Sequence, residues 1–189
     1  ETGSVAYGDG VYKSIDGGKT WSNVLFINEL TGASELSIDY NNPKVLYATM
    51  WKHQRLPWKV ISGGKGDGVY KSVDGGDSWF KIENGLPSEL GKMAISVSRA
   101  NSDKVFLLAE GNSNKRSGGL FVSNNAGESW VKVSSYAELT SRAWYYIEVF
   151  ADPNDEDTVY VLSAKAFRSI DGGKTWKRIY SCLLYTSPS

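Results

Sequence analysis

Short runs of alternating apolar and polar residues, each closed by a turn rich in Gly, Asp, Asn or Pro, recur along this 189-residue chain. In Gly10-Val11-Tyr12-Lys13-Ser14, Val11 and Lys13 point to one face and Tyr12 and Ser14 to the other, which is the period-two signature of a strand. Asp16-Gly17-Gly18 follows as a turn, because Asp accepts bonds from nearby backbone N–H groups and Gly takes positive φ without steric cost. Thr20-Trp21 starts the return strand, and its indole is expected to fold over the hairpin as a small local core.

The same phrase returns three times, at intervals of about 50 residues, the spacing of solenoids, propellers and arrays. Its structural positions are Ser14, Asp16, Gly18 and Trp21, then Ser72, Asp74, Gly76 and Trp79. The third set is Ser123, Asn125, Gly127 and Trp130, and the fourth is Ser169, Asp171, Gly173 and Trp176. A Ca²⁺ loop does not fit, since only one carboxylate recurs per copy and Asn125 replaces it in the third; hard cations want several oxygen ligands.

A second phrase precedes three of the hairpins, running over 36–48, 95–109 and 147–161. Each reads as a short apolar strand, a turn rich in Asn, Asp or Pro, and a second apolar strand. Two such strands plus the two of the hairpin make a four-stranded antiparallel propeller blade. The expected fold is therefore all-β, a β-propeller of four-stranded antiparallel blades occupying 4–180. It divides into a hairpin at 10–25 and blades at 33–83, 92–133 and 144–180. This arc of about three and a half blades falls short of the usual 4–8, so flanking blades are expected in a longer parent. Residues 181–189 break the repeat and read as a non-native or disordered tail.

Ser-x-Asp-Gly-Gly-x-Thr/Ser-Trp resembles the Asp-box, or BNR repeat, of sialidases, sortilin-like receptors and xyloglucanase-type propellers. Four copies imply the architecture and leave activity open, because such relatives share the box and differ in chemistry. Ser4-Val5-Ala6-Tyr7, Asn28-Glu29-Leu30-Thr31-Gly32-Ala33, Trp51-Lys52-His53-Gln54-Arg55-Leu56-Pro57-Trp58 and Arg142-Ala143-Trp144-Tyr145-Tyr146 are similar to phrases of bacterial secreted sortilin-like proteins, often labelled glycosyl hydrolases. That resemblance implies an extracellular, periplasmic or cell-surface location. It also implies a further blade between the first hairpin and Asn28, where this chain has almost nothing.

Antiparallel strand order sorts the connections onto two ends of the ring. The Asp-boxes and the Asn/Asp/Pro turns are expected on one end as scaffolding. The other end collects segments that do not repeat, and loops on a rigid scaffold are where binding residues tend to sit. Its candidates for ligand binding are Glu29, Trp51, His53, Arg55, Trp58, Arg116, Arg142, Trp144 and Tyr145. Each also has a plain structural role to weigh: Trp51 and Trp58 as anchors of a long loop, Arg142 stacked on a neighbouring ring, Glu29 at a turn. His53 is the single histidine, and a metal site needs several ligands, so neither a metal nor a cofactor is expected.

Charge and composition narrow the partners. Twenty-one basic residues balance 21 acidic ones, which lacks the basic footprint of a nucleic-acid binder. No apolar run approaches the ~20 residues of a membrane span. Seven Trp and eleven Tyr suit a surface for a peptide or a carbohydrate, and Trp and Arg are enriched at binding hot spots. A glycoside hydrolase of the sialidase or xyloglucanase type is the alternative. It needs two carboxyl groups flanking the bond, and nothing in the sequence pairs Glu29, Glu89, Glu110 or Glu138, so this stretch leans away from catalysis. A protein-assembly scaffold using the outer blade edges is the third reading.

Overall fold

A computed structural model describes residues 10–111 and 117–180. It is built of β-strands and one short 3₁₀ turn at Ala137–Thr140. Strands β1 (Val11–Lys13) and β2 (Ser22–Leu25) pair as an antiparallel hairpin. Strands β3 (Thr31–Ile38), β4 (Leu46–Leu56), β6 (Gly68–Ser72) and β7 (Phe80–Ile82) form the first blade in that order, and β5 (Lys59–Ser62) pairs with the far end of β4. The second blade is β8 (Leu90–Val97), β9 (Val105–Gly111), β10 (Gly119–Ser123) and β11 (Val131–Ser134). The third is β12 (Glu148–Ala151), β13 (Val159–Leu162), β14 (Ala166–Ser169) and β15 (Lys177–Tyr180). All pairings are antiparallel, giving the meander of a propeller blade.

The blades stack face to face, and this explains a departure from simple alternation. Strands β6 and β10 are buried at every position, because both faces of a middle strand meet something. The period of two survives as a division of labour. On β9, Val105, Leu107 and Ala109 pack toward the first blade, with Tyr47, Val69 and Ile82. Phe106 and Leu108 point the other way, toward Ile147, Val149, Val161 and Phe167 of the third. The hairpin covers the free face of the first blade, where Leu25 joins Ala48, Met50 and Tyr70, with Val11 packed against them.

Each Asp-box is a local network. Ser14 Oγ donates to Asp16 Oδ1 at 2.9 Å and accepts the Gly18 N–H at 2.7 Å. Asp16 Oδ1 accepts the N–H groups of Lys19 and Thr20, and Oδ2 accepts the Thr20 hydroxyl at 2.7 Å. Asp74 and Asp171 repeat these bonds with Ser78 and Thr175. At Asn125 the second atom is a donor, so Nδ2 gives a bond to Ser129 Oγ at 2.9 Å. Donors crowded on one carboxylate favour its charged form: the Thr20 N–H and hydroxyl hold Asp16 down to about 2, and the Ser78 and Thr175 hydroxyls hold Asp74 and Asp171 lower still.

The expected closure of the turn by its Trp varies with context. The Trp21 and Trp79 indoles both donate to the carbonyl of the second box glycine at 3.1 Å, yet Trp21 remains 61% exposed while Trp130 is 3% exposed. What buries the ring is the neighbouring blade, and Trp176 donates to Ser134 Oγ across that boundary at 3.2 Å.

One backbone bond repeats in all three blades. Gly75, Ala126 and Gly172 each donate their N–H at 2.8 Å to Lys44, Asp103 and Asp157, which lie in the turn between the first two strands of the same blade. Asp-boxes and first turns therefore share one end of the ring, and the segments 51–66, 83–89 and 135–147 emerge at the other.

Candidate functional site

At the end opposite the Asp-boxes, the first blade extends into a feature the sequence reading treats as a loop. Residues 51–66 form a β-hairpin, in which β4 runs on through Trp51–Leu56 and β5 returns, with His53 opposite Ser62 and Arg55 opposite Val60. Pro57 and Trp58 make its tip, and Trp58 is 81% exposed. The Trp51 and His53 rings lie 4.5 Å apart, tilted by 41°. The Trp51 indole donates to Ser62 Oγ at 2.9 Å, and Ser62 donates onward to Glu110 Oε2 of the second blade at 2.6 Å. Ser62 is thus committed to Glu110, so Ser, His and Glu do not form a nucleophilic relay here.

Glu110 also accepts the Lys92 N–H at 3.3 Å, and the Lys92 ammonium lies 5.8 Å from the centre of the Trp51 ring, within the range of a cation–π contact. Burial lowers the His53 pKa, Arg55 and Lys92 lower it further, and Glu110 opposes them. The imidazole is therefore held toward its neutral form, fit to stack and to exchange hydrogen bonds.

Lys92 sits where β8 loses register between Leu90 and Met93, and Glu35 where β3 does so between Ala33 and Glu35 itself. Such bulges re-aim side chains. Here they aim charges inward, because Glu35 is hydrogen-bonded to Glu148 at the start of β12 and also feels Lys92. Burial, then the Glu148 charge and its hydrogen bond, push Glu35 up to about 8, with Lys92 and the Ile95 N–H opposing. Near neutral pH Glu35 therefore favours its protonated form, on a carboxyl of the first blade that feels Glu148 of the third. Tyr146 is near both acids; burial raises its phenol, and the charges of Glu148 and Glu35 raise it further. Glu35 also lines a groove of about 420 Å³ bounded by the inner strands β3, β8 and β12.

Tyr146 leads back to the other predicted segment. Arg142 adopts φ +63°, uncommon for a residue with a side chain, and its carbonyl accepts the N–H groups of Tyr145 and Tyr146 at 2.9 and 3.1 Å. This tight turn holds Trp144 and Tyr145 edge to face, 6.1 Å apart, with Tyr145 72% exposed. Arg142 is exposed. The structure thus joins Trp51 and His53 through Lys92 to Glu35 and Glu148, and these to the Arg142–Tyr146 turn.

The remaining candidates lie apart from that chain of contacts. Glu29 is exposed in the turn before β3 and lines a groove of about 470 Å³ with Lys52 and Lys65. Asn28 Oδ1 rather than Glu29 accepts the Leu30 N–H there. Arg55 and Trp58 project from the hairpin tip, and Arg116 lies outside the described residues. Glu138 is spoken for by Lys165, whose ammonium donates to it at 2.8 Å. Sequence reading missed Glu35, Glu148 and Lys92. Their one sequence signal is a charge within or at the start of an inner strand. Among the described residues, no helix is long and apolar enough to cross a membrane.

Comparison with known proteins agrees with the architecture. Residues 167–178 match the BNR/Asp-box repeat. The xyloglucanase Xgh74A of Acetivibrio thermocellus is 26% identical over 94% of this chain, and a xyloglucanase of a Paenibacillus species is 22% identical over 92%. The chain spans about a quarter or less of these relatives, 23% and 18% of their lengths. Among solved structures, a GH74 enzyme of Niastella koreensis superposes with a TM-score of 0.66 at 20% identity, covering 95% of this chain and 27% of that one. YCF48 bound to a D1 peptide superposes at 0.53 and 14% identity, covering 79% of this chain and 40% of its own. The chain thus has a β-propeller fold and carries the Asp-box repeat, and it is similar to proteins named as xyloglucanases.

Proposed function

We propose that this chain is the carbohydrate-binding part of an Asp-box propeller, and that it receives a glycan on the end opposite the Asp-boxes. The observation that carries this reading is the run of rings and charges from Trp51 and His53 through Lys92 to the hydrogen-bonded Glu35 and Glu148. Ring faces pack against the C–H faces of sugars, while the acids and the amine serve hydroxyls. Similarity to proteins named xyloglucanases supports a β-glycan over a peptide. A location outside the cytoplasm follows from such a ligand.

Cleavage is the second reading, and the burial of Glu35 favours it, pushing the carboxyl up to about 8, toward the protonated form a general acid needs. Against it, Glu148 acts on Glu35 through a hydrogen bond, whereas the carboxyls of glycosidases stand roughly 5–5.5 Å apart for retention or 6.5–9.5 Å for inversion.

Native mass spectrometry of the chain with xyloglucan oligosaccharides and with a peptide mixture separates the readings. Intact sugar adducts, weakened in Trp51→Ala and Arg142→Ala and retained in Asp74→Ala, are expected. Cleaved sugar whose formation stops in Glu35→Gln establishes the hydrolase. Peptide adducts without sugar adducts overturn both.

A further inference from the structure

A common contact recurs where one sheet meets the next. The box tryptophan of the later sheet reaches the earlier one: Trp79 lies in the cluster shared with the hairpin, Trp130 in that shared with the first blade, and Trp176 in that shared with the second. On the second blade the receiving residue is Val133, left over where the register slips between the pairs Leu120–Ser134 and Phe121–Lys132. A Cβ built at Gly173 of the third blade would stand 3.3 Å from it. A cation of the earlier sheet then meets the later Asp-box. Lys13, just before the hairpin's box serine, pairs at 2.6 Å with Asp77, three residues after the box aspartate of the first blade. Lys71 holds the place of Lys13 in the first blade; its ammonium donates to the Ala126 carbonyl at 2.6 Å and feels Glu128, which holds the place of Asp77. Between the second and third blades both places change together, to Val122 and Lys174, so no two cations meet. That boundary takes its ion pair from Lys104 and Asp157.

The far face of the third blade carries the earlier half of this contact. Ile179 is the residue left over between the pairs Ala166–Tyr180 and Phe167–Arg178, as Val133 is in the second blade, and it is 45% exposed. Arg168 precedes the box serine as Lys13 and Lys71 do. It is exposed, its guanidinium lies 5.8 Å from the centre of the Tyr160 ring, and no ion pair among the described residues includes it. The hairpin of a second copy would bring an Asp-box and the exposed Trp21 to this face, but with the wrong charge. Where the first and second blades have Asp77 and Glu128, the hairpin has Lys19. Like charges brought together at an interface suppress a partner.

We propose that the far face of the third blade is a docking surface for a further Asp-box blade with Asp or Glu three residues after its box aspartate, its box tryptophan resting on Ile179 and its acid pairing with Arg168. The apolar contact supplies the hold and the charge pair selects the neighbour, since an exposed pair adds little affinity while a like-charge meeting excludes a partner. A second copy of this chain is the occupant that Arg168 and Lys19 turn away.

Charge exchange tests this on the chain itself, because the hairpin already brings the box and the tryptophan and lacks only the acid. Sedimentation velocity over a concentration series follows self-association of the 189-residue chain. The wild type is expected to stay monomeric. Lys19→Glu supplies the acid and tightens association at least about tenfold. Arg168→Glu, set against the native Lys19, restores opposite charges and does the same. The double variant brings two acids together and returns to wild-type behaviour, and high salt erases the gain of either single variant. Ile179→Glu in the Lys19→Glu chain removes the association, since the tryptophan loses its apolar support. Lys19 and Arg168 are both exposed, so either single variant carries the test should the other fold poorly. Wild-type association as strong as that of Lys19→Glu, no gain in either single variant, a gain that survives in the double variant, or association indifferent to Ile179→Glu each overturns the proposal.

Discussion

The second glycine of each Asp-box shows how one residue type answers to different constraints. Gly18 and Gly173 have almost the same backbone, φ +88° and +91°. A Cβ at Gly18 meets only its own box tryptophan, at 3.7 Å, whereas at Gly173 it lies 2.2 Å from Leu120 Cδ2 of the second blade. Gly18→Ala therefore carries the left-handed backbone cost of roughly 1–2 kcal/mol. Gly173→Ala adds an overpacking cost of about 1–3 kcal/mol. Urea denaturation of both variants checks the difference; equal losses show that Leu120 yields freely. The same scale explains what was legible. Every bond of the Ser–Asp network spans four residues or fewer, so spacing alone announced the turn. Glu35, at a register slip in β3, and Glu148 come from the first and third blades, and no local pattern encodes such a meeting.

At the scale of elements, the hairpin β1–β2 has its own ladder but borrows its core. Leu25, 7% exposed, enters the cluster with Ala48, Met50 and Tyr70, and Lys13 bonds Asp77 at 2.6 Å. Lys13 and Asp77 are both partly in solvent, so that ion pair contributes little and Leu25 dominates the docking. Leu25→Ala, at a cost of about 2–5 kcal/mol, is expected to abolish hydrogen-exchange protection over β1 and β2 while sparing β8–β10. Loss of protection throughout the chain refutes the hairpin's separate docking. The hairpin itself was legible from alternation. The β4–β5 extension was not, because Lys52-His53-Gln54-Arg55 is polar on both faces; its strands are held by mutual pairing and by Trp51 and Ser62 rather than by a buried stripe.

For the whole molecule, the shifted acids divide the pH scale. Asp16, Asp74 and Asp171 have folded values below the ordinary 3.8. Their contribution is present above about pH 4 and is lost as pH falls through about 2 and lower. Glu35 runs the other way, from 4.5 up to about 8. The folded state holds a proton that the unfolded chain has released, so its contribution is full below about 4.5 and is lost as pH rises through about 8. Glu35→Gln is accordingly expected to gain on the wild type between pH 5 and 8, measured as a widening difference in melting temperature. A constant difference across that window shows that folding does not raise Glu35.

A turn whose Ser and Asp bonds each span four residues or fewer can be copied without its surroundings. Trp21 sits over its glycine in a half-open hairpin with the same 3.1 Å bond as Trp79 inside a full blade. A corner of this kind tolerates duplication and loss of whole blades, since each copy arrives with its geometry already specified. Only the packing face must be renegotiated, and only at the new neighbour. Change in blade number along this lineage then falls on the stacked apolar faces, while the corner itself stays constant.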